Sequence, residues 1–323
     1  MPILDMPLEQ LKEYRGINPC PGDHEEYWER ALEEMRGVER NVEVRDAELE
    51  LPNFEFKELW FTGVRGARIF TKYVRPAGTE GKKLPAVMIF HGYSCRSMDW
   101  SEMLIYASMG FAVFAMDCRG QGGRSEDVGG VKGNTLNGQI IRGLIDEPDN
   151  LYFRQVFLDT AELADIVIGM DGIDGEKVAA CGGSQGGALT LACASLEPRV
   201  CKIAPMYPFL CDYKRVWEMD LAGKDAYREL TEFFRRFDPR HERIDEWFTK
   251  LGYIDVQYLV HRIKAEVMFS TGLMDSVCPP STQFAAYNKI NSKKELMVYP
   301  DFGHEMLPEW PDKALKYLTT LLS

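Results

Sequence analysis

A doubly wound, mostly parallel α/β sheet with antiparallel strands at its N-terminal edge is the architecture expected of this chain. Short continuous apolar runs recur at Pro85–Phe90, Phe111–Met116, Val178–Cys181, Cys201–Met206, Val267–Thr271 and Leu296–Tyr299. Strands apolar on both faces belong to a parallel sheet covered by helices, and a helical stretch such as Trp100–Met109 separates the first two runs. Ahead of them the pattern alternates, through Phe54–Phe61 and Ala67–Val74, joined by the turn from Gly63 to Gly66, which predicts antiparallel strands. Finally, Gly182-Gly183-Ser184-Gln185-Gly186 directly follows one apolar run, so a serine stands where a strand turns sharply into a helix.

Taken from the N-terminus, residues 1–40 read as a helical extension. Pro7 to Lys12 opens a short helix, and Asp23 caps a second that runs through Met35 with Tyr27, Trp28, Leu32 and Met35 at helical spacing. This extension is expected to form a lid. Gly122–Asn150 is a glycine-rich loop with no clear periodicity, and 211–263 reads as a helical insertion between consecutive strands. The insertion carries the stripe Tyr227, Leu230, Phe233, Phe234 and Phe237, read as helix-to-helix core packing in preference to a substrate platform. Repeats, linkers and low-complexity segments are absent, so 1–323 is expected to be one domain with insertions.

Composition narrows the function. The 323 residues carry a formal net charge of -12, which argues against nucleic acid or an anionic membrane as partner and favours a neutral small molecule. Eight cysteines are scattered with no metal-ligand spacing and read as reduced core thiols. The first residues lack a basic stretch followed by an apolar one, and no segment is long enough to cross a bilayer, so a cytoplasmic location is expected. His304-Glu305 continues as Met306-Leu307-Pro308, not as HExxH, and Asp117-Cys118-Arg119-Gly120-Gln121-Gly122 lacks the ending of a phosphate loop. Neither a metal nor a cofactor is expected, and that glycine-rich turn reads as a brace for the top of the sheet.

Chemistry centres on Ser184. A hydroxyl is a poor nucleophile until a base takes its proton, and behind an elbow of this kind the partners follow in the order serine, acid, histidine. Of the five histidines, only His304 follows a strand end beyond Ser184; His24, His241 and His261 lie in predicted helical regions, and His91 reads as a loop anchor. Asp275, where the run from Val267 breaks into a loop, is the preferred acid, since ligands collect at the carboxyl ends of strands in open α/β sheets. Asp301, three residues before His304, is the competitor. A developing oxyanion needs two donors. Gln185 N–H, just after the nucleophile and ahead of the helix expected over Ala188–Leu196, is one, and His91-Gly92-Tyr93 is similar to the H-G-x loop of esterases, which makes Tyr93 N–H the other.

With these residues in place the chain resembles the acetyl xylan esterase and cephalosporin C deacetylase family, carbohydrate esterase family seven. Arg119-Gly120-Gln121 matches the R-G-Q motif, Gly182 to Gly186 the G-x-S-Q-G elbow, and His304-Glu305 the H-E motif. Asp5 to Tyr14, Arg142-Gly143 and Tyr152-Phe153-Arg154 extend the likeness over nearly the whole chain. The resemblance implies an α/β-hydrolase fold, a triad on Ser184, Asp275 and His304, oxyanion amides on Tyr93 and Gln185, and release of acetate from O-acetylated xylo-oligosaccharides and cephalosporin-type acetates. It further implies a hexamer with active sites facing an internal cavity. A serine peptidase or other carboxylesterase of the same fold is the alternative within enzymes, and a non-catalytic carbohydrate-binding scaffold the alternative outside them.

Overall fold

The computed structural model describes residues 4–128, 139–221, 223 and 225–323. Its strands are β1 (Glu43–Asp46), β2 (Phe54–Thr62), β3 (Arg68–Pro76), β4 (Leu84–Phe90), β5 (Ala112–Met116), β6 (Ile173–Gly183), β7 (Lys202–Met206), β8 (Glu266–Gly272) and β9 (Lys294–Tyr299). They form one nine-stranded sheet in the order β1-β2-β3-β5-β4-β6-β7-β8-β9. The first three strands and the β3–β5 contact are antiparallel, and every pairing from β5 to β9 is parallel. The expected division between alternating and continuous apolar segments is therefore the division between the two kinds of pairing. β2 has one face half open to solvent, whereas all of β5 is buried.

Helices cover both faces. On one side lie α4 (Tyr152–Gly169) and α5 (Gln185–Leu196), on the other α3 (Trp100–Ala107) and α10 (Trp310–Thr319). The alternation of side chains along β4 divides the core accordingly: Ala86, Met88 and Phe90 pack with α4 and α5, while Val87 and Ile89 pack with Met103, Trp310 and Leu318. Every residue of α5 is buried, as its all-round apolar sequence requires, because it is wedged between α4 and the sheet. A capping box at Asp99 and Glu102 starts α3, with Glu102 Oε2 accepting the Asp99 N–H at 2.9 Å. No helix among the described residues is long and apolar enough to cross a membrane.

Two expectations change. The N-terminal extension forms α1 (Leu8–Leu11) and α2 (His24–Arg36), and α2 is core, not a lid. Trp28 is fully buried, its ring stacks on Phe157 of α4 at 6.0 Å, and its Nε1–H donates to the Tyr253 carbonyl at 3.0 Å. Helix α5 begins at Gln185, directly after the serine, and not at Ala188. The insertion between β7 and β8 holds α6 (Tyr213–Glu218), α7 (Arg228–Phe237) and α8 (Ile244–Leu251), followed by three 3₁₀ turns. Its aromatic stripe packs inward, Phe233 and Phe234 meeting Trp247, Trp217 and Phe248. α9 (Pro280–Tyr287) follows β8. Residues 129–138 of the glycine-rich loop lie outside the described residues.

The burial of Trp28 gives a stability test. Trp28→Ala should cost about 3–5 kcal/mol in urea unfolding, the range for deleting a large core aromatic, whereas a loosely held lid would lose far less.

Candidate active site

The elbow is built by close approach. β6 runs through Gly183 into Ser184, whose backbone sits at φ 58° and ψ -121°, a conformation that costs a non-glycine residue about 1–3 kcal/mol. A Cβ on Gly186 would lie 2.0 Å from the Phe90 carbonyl oxygen, and one on Gly187 2.6 Å from that of Met206. Only glycine lets α5 start this near to β4 and β7. The strained residue is held on both sides: Ser184 N–H donates to Met206 O at 3.0 Å, and Ser184 O accepts from Phe209 N–H at 3.0 Å.

Strand register brings the other groups to this point. Phe90, Gly182 and Pro205 are neighbours across β4, β6 and β7, as are Gly272 and Tyr299 across β8 and β9. The loops carrying Tyr93, Ser184, Asp275 and His304 all leave from this edge. His304 Nε2 lies 3.0 Å from Ser184 Oγ, and its Nδ1 lies 2.9 Å from Asp275 Oδ2. Asp275 is completely buried, and its carboxylate also accepts the N–H groups of Val277 (2.9 Å) and Cys278 (2.8 Å) and the Gln283 amide (3.3 Å). An acceptor so fixed makes Nδ1 the donor, which leaves the Nε2 lone pair facing the serine hydroxyl. Asp301, the competitor, is exposed at the far side of its turn.

Two side chains not singled out from sequence complete the surroundings. The Tyr207 ring packs on the His304 imidazole with centroids 4.6 Å apart. The fully buried Cys278 thiol abuts Ser184, and burial pushes it well above the ordinary thiol range, so it stays neutral beside the serine. Among the described residues, Asp275, Cys278 and His304 form the one His/Cys/carboxylate group compact enough to share a cation, with ligand atoms within 4.8 Å. The bonds already made by Asp275 and His304 account for that compactness. The remaining histidines lie elsewhere. His24 packs between Trp28 and Tyr258, His241 against Trp217 and Phe234, and His261 pairs with Glu25. His91 accepts Cys118 N–H on Nε2 at 2.9 Å and donates from Nδ1 to its neighbour Gly92 O at 2.8 Å, anchoring the loop as expected.

Tyr93 and Gln185 each stand three residues beyond the paired positions Phe90 and Gly182. Among the described residues neither backbone N–H has an acceptor. Below them two glutamine side chains face one another: Gln121 Nε2 donates to Gln185 Oε1 at 2.8 Å, and Gln185 Nε2 to Gln121 Oε1 at 3.1 Å. Gln121 Oε1 also accepts Ser94 N–H at 2.9 Å, and Gln185 Nε2 reaches the His91 carbonyl at 3.3 Å. The loop between His91 and Ser94 is thus pinned to the elbow through side-chain amides.

The family described as acetyl xylan esterase (AXE1) matches residues 1–321. The chain belongs to this family of carboxylic ester hydrolases. Acetyl xylan esterase 1 from Thermoanaerobacterium sp. JW/SL YS485 is 57% identical, with a TM-score of 0.97 over 99% of this chain and 100% of that one. An acetyl xylan esterase from Paenibacillus sp. R4 is 34% identical, with a TM-score of 0.92 over 98% and 99%. Acetyl esterase Axe7A of Xylanibacter ruminicola is 27% identical over 92% of this chain, and the chain spans 65% of that relative's length. The sheet order and its helices are those of the α/β-hydrolase fold that these relatives share.

Arg119 and Gln121 brace this site from the turn after β5. Gln121 belongs to the amide pair, and Arg119 makes a buried bidentate ion pair with Asp159 of α4 at 2.6 and 2.5 Å. Burial opposes the guanidinium charge, but the Asp159 carboxylate outweighs it and holds Arg119 above its ordinary range. Asp117, just ahead, accepts Ser97 N–H and Arg124 N–H, each at 2.7 Å, so this turn braces the sheet top. Arg119→Met should destabilise the protein by about 3–5 kcal/mol, because it strands the Asp159 charge in the core. Adding Asp159→Leu should recover most of that loss in chemical denaturation; a double variant no more stable than the single would contradict the ion-pair account.

Proposed function

We propose that the protein removes O-acetyl groups from acetylated xylo-oligosaccharides and related small acetates, cephalosporin C among them, through an acetyl-enzyme on Ser184. The observation that carries this reading is the unbroken hydrogen-bond relay from Ser184 through His304 to buried Asp275, at 3.0 and 2.9 Å, in a chain of the acetyl xylan esterase family. Ser184 Oγ attacks the acetyl carbonyl carbon while His304 Nε2 takes its proton, and Asp275 stabilises the imidazolium and keeps Nδ1 as donor. Charge developing on the carbonyl oxygen is met by the N–H groups of Tyr93 and Gln185. Each such donor is worth about 10²–10³ in turnover, because it is oriented before the charge appears. The bond from the acyl carbon to the sugar oxygen then breaks, and the imidazolium returns its proton to that oxygen. Water repeats the cycle: His304 removes its proton as the water oxygen bonds the acetyl carbon, the bond from that carbon to Ser184 Oγ breaks, the imidazolium returns its proton to Oγ, and acetic acid departs and ionises in solvent.

The net charge of -12 suits a neutral sugar ester better than a polyanion. Part of the same proposal is a hexamer whose sites face an internal cavity and take short oligosaccharides in preference to polymer. It rests on the family resemblance, and light scattering at micromolar concentration reads it directly.

Ser184→Ala should bring hydrolysis of a small acetate ester down to background while the melting temperature stays within a few degrees of the parent. Asp275→Asn should lose about 10⁴ in turnover because the amide no longer holds the working tautomer of His304. Asp301→Asn should stay close to the parent; the opposite ranking would move the acid to Asp301.

A further inference from the structure

Helix α7 of the insertion carries a buried carboxylate that the chemistry above does not use. We propose that Glu229 is a positioning residue of the acyl-transfer site, holding the Tyr93 phenol and through it the main-chain N–H that faces the oxyanion. The inference rests on the esterase reading and adds a residue to it.

Glu229 is only 3% exposed. Tyr93 Oη donates a hydrogen bond to Glu229 Oε1 and itself accepts Gln139 N–H at 2.8 Å. Glu229 Oε2 accepts Ile141 N–H at 3.0 Å. One carboxylate therefore gathers three pieces of chain: the loop after β4, residues 139–141 and the first turn of α7. The Tyr93 ring is further gripped by Phe153 and Phe209, with centroids at 6.5 and 5.4 Å, and the Phe209 N–H is the donor that holds the Ser184 carbonyl. The amide pair of Gln121 and Gln185 fixes this loop from below, and Glu229 fixes it from above.

The ionised acid fits the arrangement best: each oxygen accepts one donor, and a proton on Oε2 would meet the Ile141 N–H, while one on Oε1 would reverse the bond to Tyr93 Oη. Burial pushes the Glu229 carboxyl up to about 7, with the hydrogen bonds from Tyr93 and the 139–141 backbone holding it back. The titratable groups facing it are Tyr93, Tyr213 on α6 and, beyond Tyr93, Tyr152 on α4; burial raises all three phenols, so they stay neutral. Protonation as pH falls through neutrality replaces charge-assisted hydrogen bonds with weaker neutral ones and loosens the clasp. An apolar side chain would bury in this helix at far lower cost than a carboxylate, so packing gives no reason for an acid here.

The test compares Glu229→Gln, Tyr93→Phe and their double variant with the parent, each normalised by titrating reactive serine with an organophosphate. Glutamine keeps the shape but offers one acceptor oxygen in place of two and no charge, so either the Tyr93 hydroxyl or the Ile141 N–H loses the acceptor it donates to. Both single variants should lower kcat by about 10-fold or more with KM within about 2-fold, and the double should be no worse than either single, because all remove the same support. On the acid side, log kcat of the parent should fall more steeply than that of Glu229→Gln, by the one proton that Glu229 takes up. Unchanged kcat in Glu229→Gln, or parallel acid limbs, overturns the inference. Should Glu229→Gln fail to fold, unchanged kcat in Tyr93→Phe overturns it equally. Ser184→Ala run alongside separates the two claims: if it is inactive while these variants are unaffected, only the role of Glu229 falls, and if it is active the esterase reading falls.

Discussion

The backbone strain at Ser184 is the constraint on which the rest of the site depends. A serine at φ 58° persists only where its surroundings over-determine it, and here they do so through carbonyl contacts that leave no room for a side chain on Gly186 or Gly187. The carbonyl of Phe90 that closes on Gly186 belongs to the strand whose next residues form the loop carrying Tyr93. The proposed nucleophile and the proposed oxyanion donor are therefore set by one contact between β4 and the start of α5. The fully buried α5, pressed against the sheet by α4, keeps that contact closed.

Topology explains why these groups meet. After β4 the chain places β5 on one side of it and β6 on the other, so winding reverses at β4 and a crevice opens beyond the strand ends. Tyr93 and Ser184 leave the two strands that border the crevice, and Asp275 and His304 leave β8 and β9, further along the same edge. The insertion comes off β7, between these pairs, and returns α7 over the loop carrying Tyr93. Its aromatic stripe makes it a packed unit, so a carboxylate on its inner face can be held without slack.

What the sequence discloses divides along physical lines. Sheet and strands were legible because continuous apolar runs need two covered faces, and Ser184, Asp275 and His304 because each follows such a run. The lid expected at the N-terminus fails at Trp28: helical spacing shows that a stripe is buried but not against what. The amide pair of Gln121 and Gln185 joins residues 64 positions apart with no periodicity to reveal it. Glu229 reads as one more charge on an amphipathic helix, and Cys278 as a core thiol, because their significance lies entirely in which segments fold over them. Distance in the chain, not chemistry, is what hid them.

The central claim is that acetyl transfer passes through Ser184, and intact-protein mass spectrometry with peptide mapping after rapid acid quench of enzyme mixed with a good acetate ester tests it most directly. The account predicts a transient mass increase of one acetyl group, located on the peptide containing Ser184, absent from Ser184→Ala and longer lived in Asp275→Asn. Turnover with no acetylated protein under conditions where deacylation is slowed, or acetylation at another residue that turns over at the catalytic rate, would contradict it.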